Sequence, residues 1–378
     1  MVDGTDLAVR ERRRGVLREL GASVDDVEPL LAYTSTPYGT LRDAADSLPL
    51  ADEPHVSAWQ RYADNGRAAG TFVELQKRFV QLQFPVQAGI SESEAYRRAT
   101  RRGDLSASAG YAPGLTLEDP DGLDLEIHQS VAGRIPVLVP STRRDFVTLV
   151  QAFTERNEPV PVPASMGACL VNGLNNWDRV AAYRREWTAA HGEGADWAAE
   201  FKTFATRKAL YQDRFIILSR GPYSATTAGD AGVAEDEWPR QSIAIRREHE
   251  CLHYLTYRLS GTIRSNVLDE LVADFAGMVA GTGGYSADLA IRFLGLHHYP
   301  EIPEASRLRV YRGGLTGEQL QTVAALARRA AAHLQFCAER WGSRLRDVQV
   351  LAAVILSLIT VSVEELADGI VPLPAPGA

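Results

Sequence analysis

The residues best suited to chemistry lie at positions 247–253, which read REHECLH. The pattern H-E-x-x-H places His249 and His253 four positions apart, and residues with this spacing lie on one face of an α-helix. Their imidazoles can then converge on a single ion about 2.0–2.1 Å from each nitrogen. Glu250 follows the first histidine and can act as general base toward a metal-bound water. The spacing therefore predicts a catalytic zinc site, whereas the plainer alternative is two histidines on a polar helix face.

The acidic segment DELVAD lies shortly downstream of the histidine pair. A new helix is expected to begin there with Asn266 as its capping residue. At 1.5 Å per residue, Glu270 and His253 then lie at similar heights on two antiparallel helices, so their side chains should come into contact. Glu270 is the expected third ligand, and the spacing leaves Asp269 and Asp274 open as alternatives.

Glu270 and Asp274 are four positions apart and share a helix face, so Asp274 could orient an imidazole while Glu270 binds the ion. Together the motifs H-E-x-x-H and E-x-x-A-D resemble those of zincin metallopeptidases of the gluzincin type, in which a glutamate on a following helix is the third zinc ligand. The pattern E-x-x-A-D at residues 270–274 resembles that of a group of zinc proteases that are mostly integral to membranes. This chain departs from them because it lacks membrane spans and has a shorter interval between the motifs.

The resemblance covers residues 247–274. It supports the zinc site and the reaction class more strongly than it supports any particular substrate. With the Asn- and Gly-rich central segment, the same motifs also resemble a bacterial family of unassigned function. In a zincin-type site, three protein ligands leave a fourth position for a water whose pKa falls toward about 7. Glu250 would take the proton of that water. Tyr257, one turn beyond His253, is the expected oxyanion donor, with residues 297–299 (His, His and Tyr) as alternatives.

The composition is that of a globular protein, with 378 residues of which 45% are hydrophobic. A formal net charge of −8 argues against nucleic acid or an anionic membrane as a partner. Three widely spaced cysteines suit a reducing compartment rather than a disulfide framework. No secretory signal is visible, and the longest apolar stretch, residues 348–363, is shorter than the roughly 18–20 residues that span a bilayer. A cytoplasmic location is therefore expected.

Two of the three cysteines lie in segments where a thiol could take part in chemistry. Cys251 falls inside the histidine motif but points away from the histidine face, so it is expected to pack in the core. Cys169 follows a Gly-Ala pair and could be a thiol nucleophile with His128 or His191 as its base. No local pattern supports that pairing, and the zinc hypothesis is preferred.

Patterning along the whole chain predicts an α+β fold that is predominantly helical, with a zincin-like metal-binding helix pair and a small mixed sheet. Residues 1–110 are expected to form a mainly helical N-terminal region, residues 111–240 a mixed α/β region, and residues 241–378 the helical zinc-binding region. The helical patterns cover residues 7–20, 56–65, 71–82, 142–156, 242–259, 267–280, 287–294, 317–341 and 345–367. The strand patterns cover residues 123–128, 135–139 and 214–219.

Three segments of the central region are candidates for substrate contact. Residues 214–219 are expected to form a strand, preferably an ordinary sheet strand followed by a turn. The alternative is a strand that, with its loop, binds extended substrate by β-augmentation. Residues 221–239 are rich in Gly, Ala and acids and are expected to form a mobile loop or lid. Residues 165–177 are dense in small, amide and aromatic residues and are expected to form a loop, for substrate contact or as plain turns. The tail at 371–378 is Pro-rich and expected to be loose.

These features favour a soluble zinc-dependent hydrolase, a metallopeptidase or amidase whose partner is a peptide or a small amide-containing substrate. The alternative is a non-enzymatic binding or regulatory protein with a structural or vestigial zinc site. Retention of Glu250 speaks against the alternative, because a structural site closes its fourth position and needs no general base. A helical DNA-binding regulator is disfavoured by the acidic balance of the chain.

Overall fold

The structure, a computed structural model, describes residues 4–39, 41, 47–262 and 266–370. The expected loose tail at 371–378 and residues 263–265, which precede the expected capping residue Asn266, lie outside these residues. The chain divides into two compact units. The helical unit comprises Met1–Leu50 and Pro222–Ala378, and the sheet unit comprises Ala51–Gly221. This division rests on spatial packing, so its boundaries differ from those of the three regions drawn along the sequence.

The fold is α+β and predominantly helical, as the sequence predicts. Up to residue 221 the elements are α1 (Gly4–Glu19), α2 (Val27–Thr34), α3 (Val56–Ala69), α4 (Thr71–Arg78), α5 (Glu94–Arg102), β1 (Asp124–Ser130), β2 (Gly133–Val139), α6 (Arg143–Thr154), β3 (Ala168–Asn175), α7 (Trp177–His191), α8 (Trp197–Thr206) and β4 (Gln212–Leu218). After it come α9 (Ala228–Ala231), α10 (Trp238–Ser260), α11 (Val267–Thr282), α12 (Ala287–Phe293), α13 (Arg307–Val310), α14 (Gly317–Trp341), α15 (Val348–Ile359) and α16 (Val363–Ala367).

The strands of the described residues form one mixed sheet in the order β1-β2-β4-β3. β2 and β4 pair in parallel, and the other two pairs are antiparallel. Aromatic rings pack behind the sheet, where Phe215 of β4 lies 4.7 Å from Trp59 and 5.0 Å from Phe153 between ring centroids. The indole of Trp59 also donates to the buried Asp213 at 2.8 Å, which joins α3 to β4.

The segment 214–219 forms an ordinary sheet strand up to Leu218, as preferred, and the alternative of a β-augmentation site is wrong. β4 lies inside the sheet, with β3 paired to Gln212–Leu218 and β2 paired to Ile216 and Ile217. Its backbone donors and acceptors are used by both neighbours at those positions, so no further strand can add there. The edges of the sheet are β1 and β3.

Two expected loops contain regular structure. Residues 168–175 form strand β3, in which Gly173 has a φ of +80° and the register shifts between Asn172 and Leu174. This bulge interrupts the alternation by which a strand is recognised in sequence. Between residues 221 and 239 the chain packs closely, because Trp238 is buried and its indole donates to the carbonyl of Thr226 at 2.7 Å. The expected mobility of this segment stays a prediction.

The single helix expected at 345–367 is two helices. α15 ends at Ile359, and the side chain of Ser362 accepts from the backbone N–H of Glu365 to begin α16. α15 is a largely buried helix, as predicted for the apolar stretch. No helix in the described part of the chain has the length and apolar character needed to cross a membrane.

The helical unit contains the two helices that carry the motifs. α10 and α11 run antiparallel, since His253 contacts Glu270 near one end and Ile245 contacts Gly277 and Gly281 toward the other. A Cβ atom on Gly277 would lie 2.6 Å from the carbonyl oxygen of Ile245. The absence of side chains there allows the helix backbones to approach closely.

Candidate metal centre

Helix α10 positions the histidine pair. It begins with Pro239 in its first turn and ends at Gly261, whose φ of +76° is the left-handed conformation of a helix C-cap. His249 and His253 lie on its buried face, with 5% and 9% of their surface exposed. Cys251 is also buried, in agreement with the expected core position.

Helix α11 positions the acids. The side chain of Asn266 accepts from the backbone N–H groups of Leu268 and Asp269, at 3.0 and 3.1 Å, as the sequence predicts for a capping residue. The helix is buried from its first residue, so Glu270 (2% exposed) and Asp274 face protein rather than solvent. Burying two carboxylates is costly unless cations or hydrogen-bond donors face them, and both kinds of group are present.

The two histidines and Glu270 form a compact triangle. The two Nε2 atoms lie 3.1 Å apart. The Glu270 carboxylate places Oε2 3.4 Å from His249 Nε2 and Oε1 3.5 Å from His253 Nε2. The contact predicted from the heights of the two helices is therefore present, and the structure holds a buried group of side chains that could bind a metal ion.

These spacings fit a tetrahedral ion. Ligands about 2.0–2.2 Å from a zinc ion at tetrahedral angles lie roughly 3.3–3.5 Å from one another. The three observed separations of 3.1, 3.4 and 3.5 Å are close to that edge length. The triangle thus matches one face of a tetrahedron, with no fourth His, Cys, Asp or Glu ligand in the group among the described residues.

Asp274 fixes the orientation of His249. Its Oδ1 lies 2.8 Å from His249 Nδ1 and accepts a hydrogen bond from the Tyr223 hydroxyl at 2.5 Å. Because a carboxylate accepts only, Nδ1 of His249 must be the protonated nitrogen in this contact. The other nitrogen, Nε2, then faces His253 and Glu270 and can offer a lone pair to an ion.

Arg307 lies between the two carboxylates. Its Nη2 donates to Glu270 Oε2 at 2.8 Å, and its Nη1 lies 3.5 Å from Asp274 Oδ2 and 3.4 Å from the Tyr223 hydroxyl. The guanidinium also donates from Nε to the hydroxyl of Tyr311 at 3.3 Å. One cation therefore serves both buried acids and offsets the cost of their burial.

The protonation states follow from these contacts. Burial alone would lower the pKa of His249, but the hydrogen bonds to Asp274 and Glu270 raise it to about 9. Burial lowers the pKa of His253. For Glu270, burial acts to raise the pKa, but the hydrogen bond with His249 and the charges of both histidines and Arg307 hold it well below its ordinary value. Without a metal, His249 is a cation whose Nε2–H can point at the neutral Nε2 of His253.

The remaining predicted residues occupy different surroundings. Glu250 is half-buried on α10 and makes no hydrogen bond or ion pair within the described residues. Tyr257 is half-buried one turn beyond His253. Asp269 is buried at the start of α11, but the compact triangle uses Glu270. Residues 297–299 are exposed. The rings of His297 and His298 are tilted with their centroids 4.2 Å apart, and Tyr299 lies beneath the guanidinium of Arg328.

Tyr223 and Arg307 have roles at the centre that the sequence did not predict. Tyr223 follows strand β4 and was expected only as part of a substrate-contact segment, whereas it is buried and bonded to Asp274. Arg307 lies in the short helix α13, far along the chain from both motifs. Neither residue has a local spacing signal, because their contacts arise from the tertiary packing of distant segments.

The fold and the site define a predominantly helical α+β protein with a buried His-His-Glu centre. A family model described as a family of unknown function (DUF7005) matches residues 15–369, and the chain belongs to this family. No curated protein and no solved structure matches the chain. The resemblance to zincin metallopeptidases therefore depends on the two motifs alone.

Proposed function

We propose that this chain is a zinc-dependent hydrolase that cleaves a peptide or amide bond. The observation that carries the proposal is the triangle of His249, His253 and Glu270 donors, with edges of 3.1–3.5 Å. Two imidazoles and one carboxylate are a ligand set typical of catalytic zinc, which keeps a fourth position for water or substrate. Zinc bound there would act as a Lewis acid and lower the pKa of a coordinated water.

The surrounding side chains have distinct proposed roles. Glu250 would accept the proton of the attacking water, and the charge of its carboxylate already acts on the neighbouring ligand His253. Asp274 would hold His249 in the Nδ1–H tautomer, so that Nε2 stays available to the ion. Arg307 would fix Glu270 through its 2.8 Å hydrogen bond. Tyr257 remains the proposed donor to the developing oxyanion.

The proposal is tested first by the metal content of the purified protein. Wild type, His253→Ala, Glu270→Ala and Glu250→Gln are compared by elemental analysis after reconstitution with zinc. We expect about one zinc per chain in wild type, as three ligands of one ion require, and the same in Glu250→Gln. His253→Ala and Glu270→Ala should lose it. Absence of zinc from reconstituted wild type would overturn the proposal.

Hydrolysis is tested with the same proteins. Zinc-loaded wild type and Glu250→Gln are assayed against a panel of peptides and small amides, with product amine as the readout. General-base removal costs roughly 10²–10⁴-fold in rate. A substrate cleaved by wild type and not by Glu250→Gln at equal zinc content would support the hydrolase. Equal rates for the two proteins would count against it.

One observation favours a second candidate, a structural metal site. All three ligands are less than one-tenth exposed, and a closed structural ion is usually inaccessible to solvent. The two candidates differ in whether an exogenous ligand reaches the ion. Cobalt-substituted protein is mixed with acetohydroxamate, and the visible absorption spectrum is recorded. A spectral change indicates an open coordination position and favours catalysis, whereas an unchanged spectrum favours the structural role.

A further inference from the structure

A second candidate site lies in the sheet unit and shares no residue with the metal centre. A cavity of about 170 Å³ opens there between α5, the end of α6 and strand β3. Its lining combines apolar groups, hydroxyls and two guanidinium groups, and includes Gln81, Tyr96, Arg101, Phe153, Arg156 and Leu174. An apolar cavity of roughly 150 Å³ is large enough to hold benzene.

Gln81 presents an unsatisfied amide to this cavity. The residue is 6% exposed, and its side-chain oxygen Oε1 is buried without a hydrogen-bond partner among the described residues. Leaving a buried amide without partners destabilises a folded protein, so such a group is expected to have a partner that is not part of the chain. A carboxamide can both donate and accept, which suits a hydroxyl group.

Arg101 and Arg156 place positive charge at the same cavity, and the charge of Arg156 also acts on Glu158. Both side chains are exposed, and neither makes a salt bridge or hydrogen bond with the described residues. Their neighbours on α5 differ, since Arg97 and Arg98 are paired with Glu92 and Asp104. Two guanidinium groups that line one cavity without making a salt bridge favour an anion, above all a carboxylate that can accept bidentate hydrogen bonds.

The backbone that carries Arg156 is held in place. Arg156 and Asn157 both have left-handed conformations, with φ of 55° and 61°. The buried amide of Asn157 donates to the carbonyls of Gln81 and Phe84 at 2.9 and 3.0 Å, and accepts from the Tyr96 hydroxyl at 3.1 Å. The backbone position of Arg156 relative to Gln81 is therefore set before any ligand binds, so only the exposed side chain has to be ordered on binding.

We propose that this cavity binds a small organic carboxylate with a ring-sized apolar body and a hydroxyl at the end opposite the carboxylate. The carboxylate binds to Arg101 and Arg156 at the exposed side. The body packs against Phe153 and Leu174, and the hydroxyl exchanges hydrogen bonds with Gln81 at the buried side. This site is independent of the proposed hydrolase.

The test uses the full chain and three probes, para-hydroxybenzoate, benzoate and benzyl alcohol, titrated by calorimetry. We expect para-hydroxybenzoate to bind best, benzoate to bind about tenfold more weakly because it lacks the hydroxyl, and benzyl alcohol to show no saturable binding. Arg101→Gln and Arg156→Gln should each weaken binding of both carboxylates about tenfold. Arg102→Gln is the matched control, because Arg102 is exposed on α5 and does not line the cavity, and it should bind as wild type does.

Gln81→Met separates a binding role from a structural one. Methionine keeps the length of the side chain and removes the amide, so the unliganded variant should melt at the same temperature as wild type or higher. Its affinity for para-hydroxybenzoate should fall to that of benzoate. The proposal is overturned if no carboxylate binds at millimolar concentration, or if binding is unaffected by the arginine variants. A Gln81→Met protein that loses stability and keeps its affinity would also contradict it.

Discussion

The hydroxyl of Tyr223 donates to Asp274 at 2.5 Å and lies 2.9 Å from His249 Nδ1. Asp274 therefore receives two donors at the same oxygen, the phenol and the imidazole. Two acceptor contacts hold the carboxylate in one orientation, and the carboxylate in turn holds the ring of His249. Tyr223 thus acts on the candidate metal ligands through Asp274, without offering a ligand to the triangle itself.

Tyr223→Phe tests this relationship. The ring of Tyr223 packs edge-on against Phe293 at 4.7 Å, and phenylalanine preserves that packing. Loss of the hydroxyl leaves Asp274 less restrained, and removal of such supporting groups weakens metal binding by roughly tenfold or more. Zinc affinity is measured by competition with a chromophoric chelator. Tyr183→Phe is the matched control, since the Tyr183 hydroxyl donates to Glu200 within the sheet unit, and it should bind zinc as wild type does.

The parts of the centre that follow from local spacing could be predicted from the sequence. His249 and His253 share a helix face because they are four positions apart, and Asn266 marks the start of the next helix by the chemistry of its side chain. Glu270 then falls at the height of His253. Each step uses residues close together along the chain, where helical geometry leaves few alternatives.

The rest of the centre and parts of the fold depend on long-range packing. Arg307 is 37 positions from Glu270 along the chain, and no helical repeat relates the two residues. Strand β3 was missed because the bulge at Gly173 breaks its alternation. The break between α15 and α16 was missed although it has a local signal, since Ser362 and Glu365 form a capping box at the start of α16.

Arg307→Gln is expected to destabilise the metal-free protein more than the zinc-loaded protein. In the metal-free state, Glu270 and Asp274 are buried and lose the guanidinium that faces both. Arg307 is one-fifth exposed, so the loss is about 2 kcal/mol rather than the larger value of a fully buried pair. A bound zinc ion would supply compensating positive charge. Urea unfolding of both states measures the difference.

Arg292→Gln is the control for this comparison. Arg292 pairs with Asp230 at 3.1 Å, but both side chains are at least one-third exposed. Such a pair contributes little, and its loss should change both states equally. The interpretation fails if Arg307→Gln destabilises the metal-free and zinc-loaded proteins to the same extent.

Zinc itself is expected to stabilise the helical unit. An ion that binds only the folded state at a free concentration a hundredfold above its Kd adds about 2.7 kcal/mol. Differential scanning calorimetry should therefore show a higher melting temperature for wild type and Glu250→Gln with zinc than with a chelator. His253→Ala and Glu270→Ala should show no such rise, and a comparable rise in these variants would indicate that the ion binds elsewhere.

Gly277→Ala tests whether the close approach of α10 and α11 positions the ligands. In an isolated helix this change is favourable by about 1 kcal/mol, because alanine has the higher helix propensity. Here the added Cβ would lie 2.6 Å from the carbonyl oxygen of Ile245, so the helices must separate. Overpacking of this kind costs about 1–3 kcal/mol. We expect a lower urea midpoint and a weaker zinc affinity, since α11 carries Glu270 away from the histidines.

The control for Gly277→Ala is Gly284→Ala, at a position just after α11 where an added Cβ would meet no atom within 4 Å. This variant should have nearly wild-type stability and zinc affinity. A stabilised Gly277→Ala would show that helix propensity outweighs the contact with Ile245. A destabilised variant with full zinc affinity would show that the histidines and Glu270 adjust independently of the helix spacing. We expect Gly277→Ala to lose both stability and zinc affinity. That result would show that the small residues of α11 determine the geometry of the metal centre.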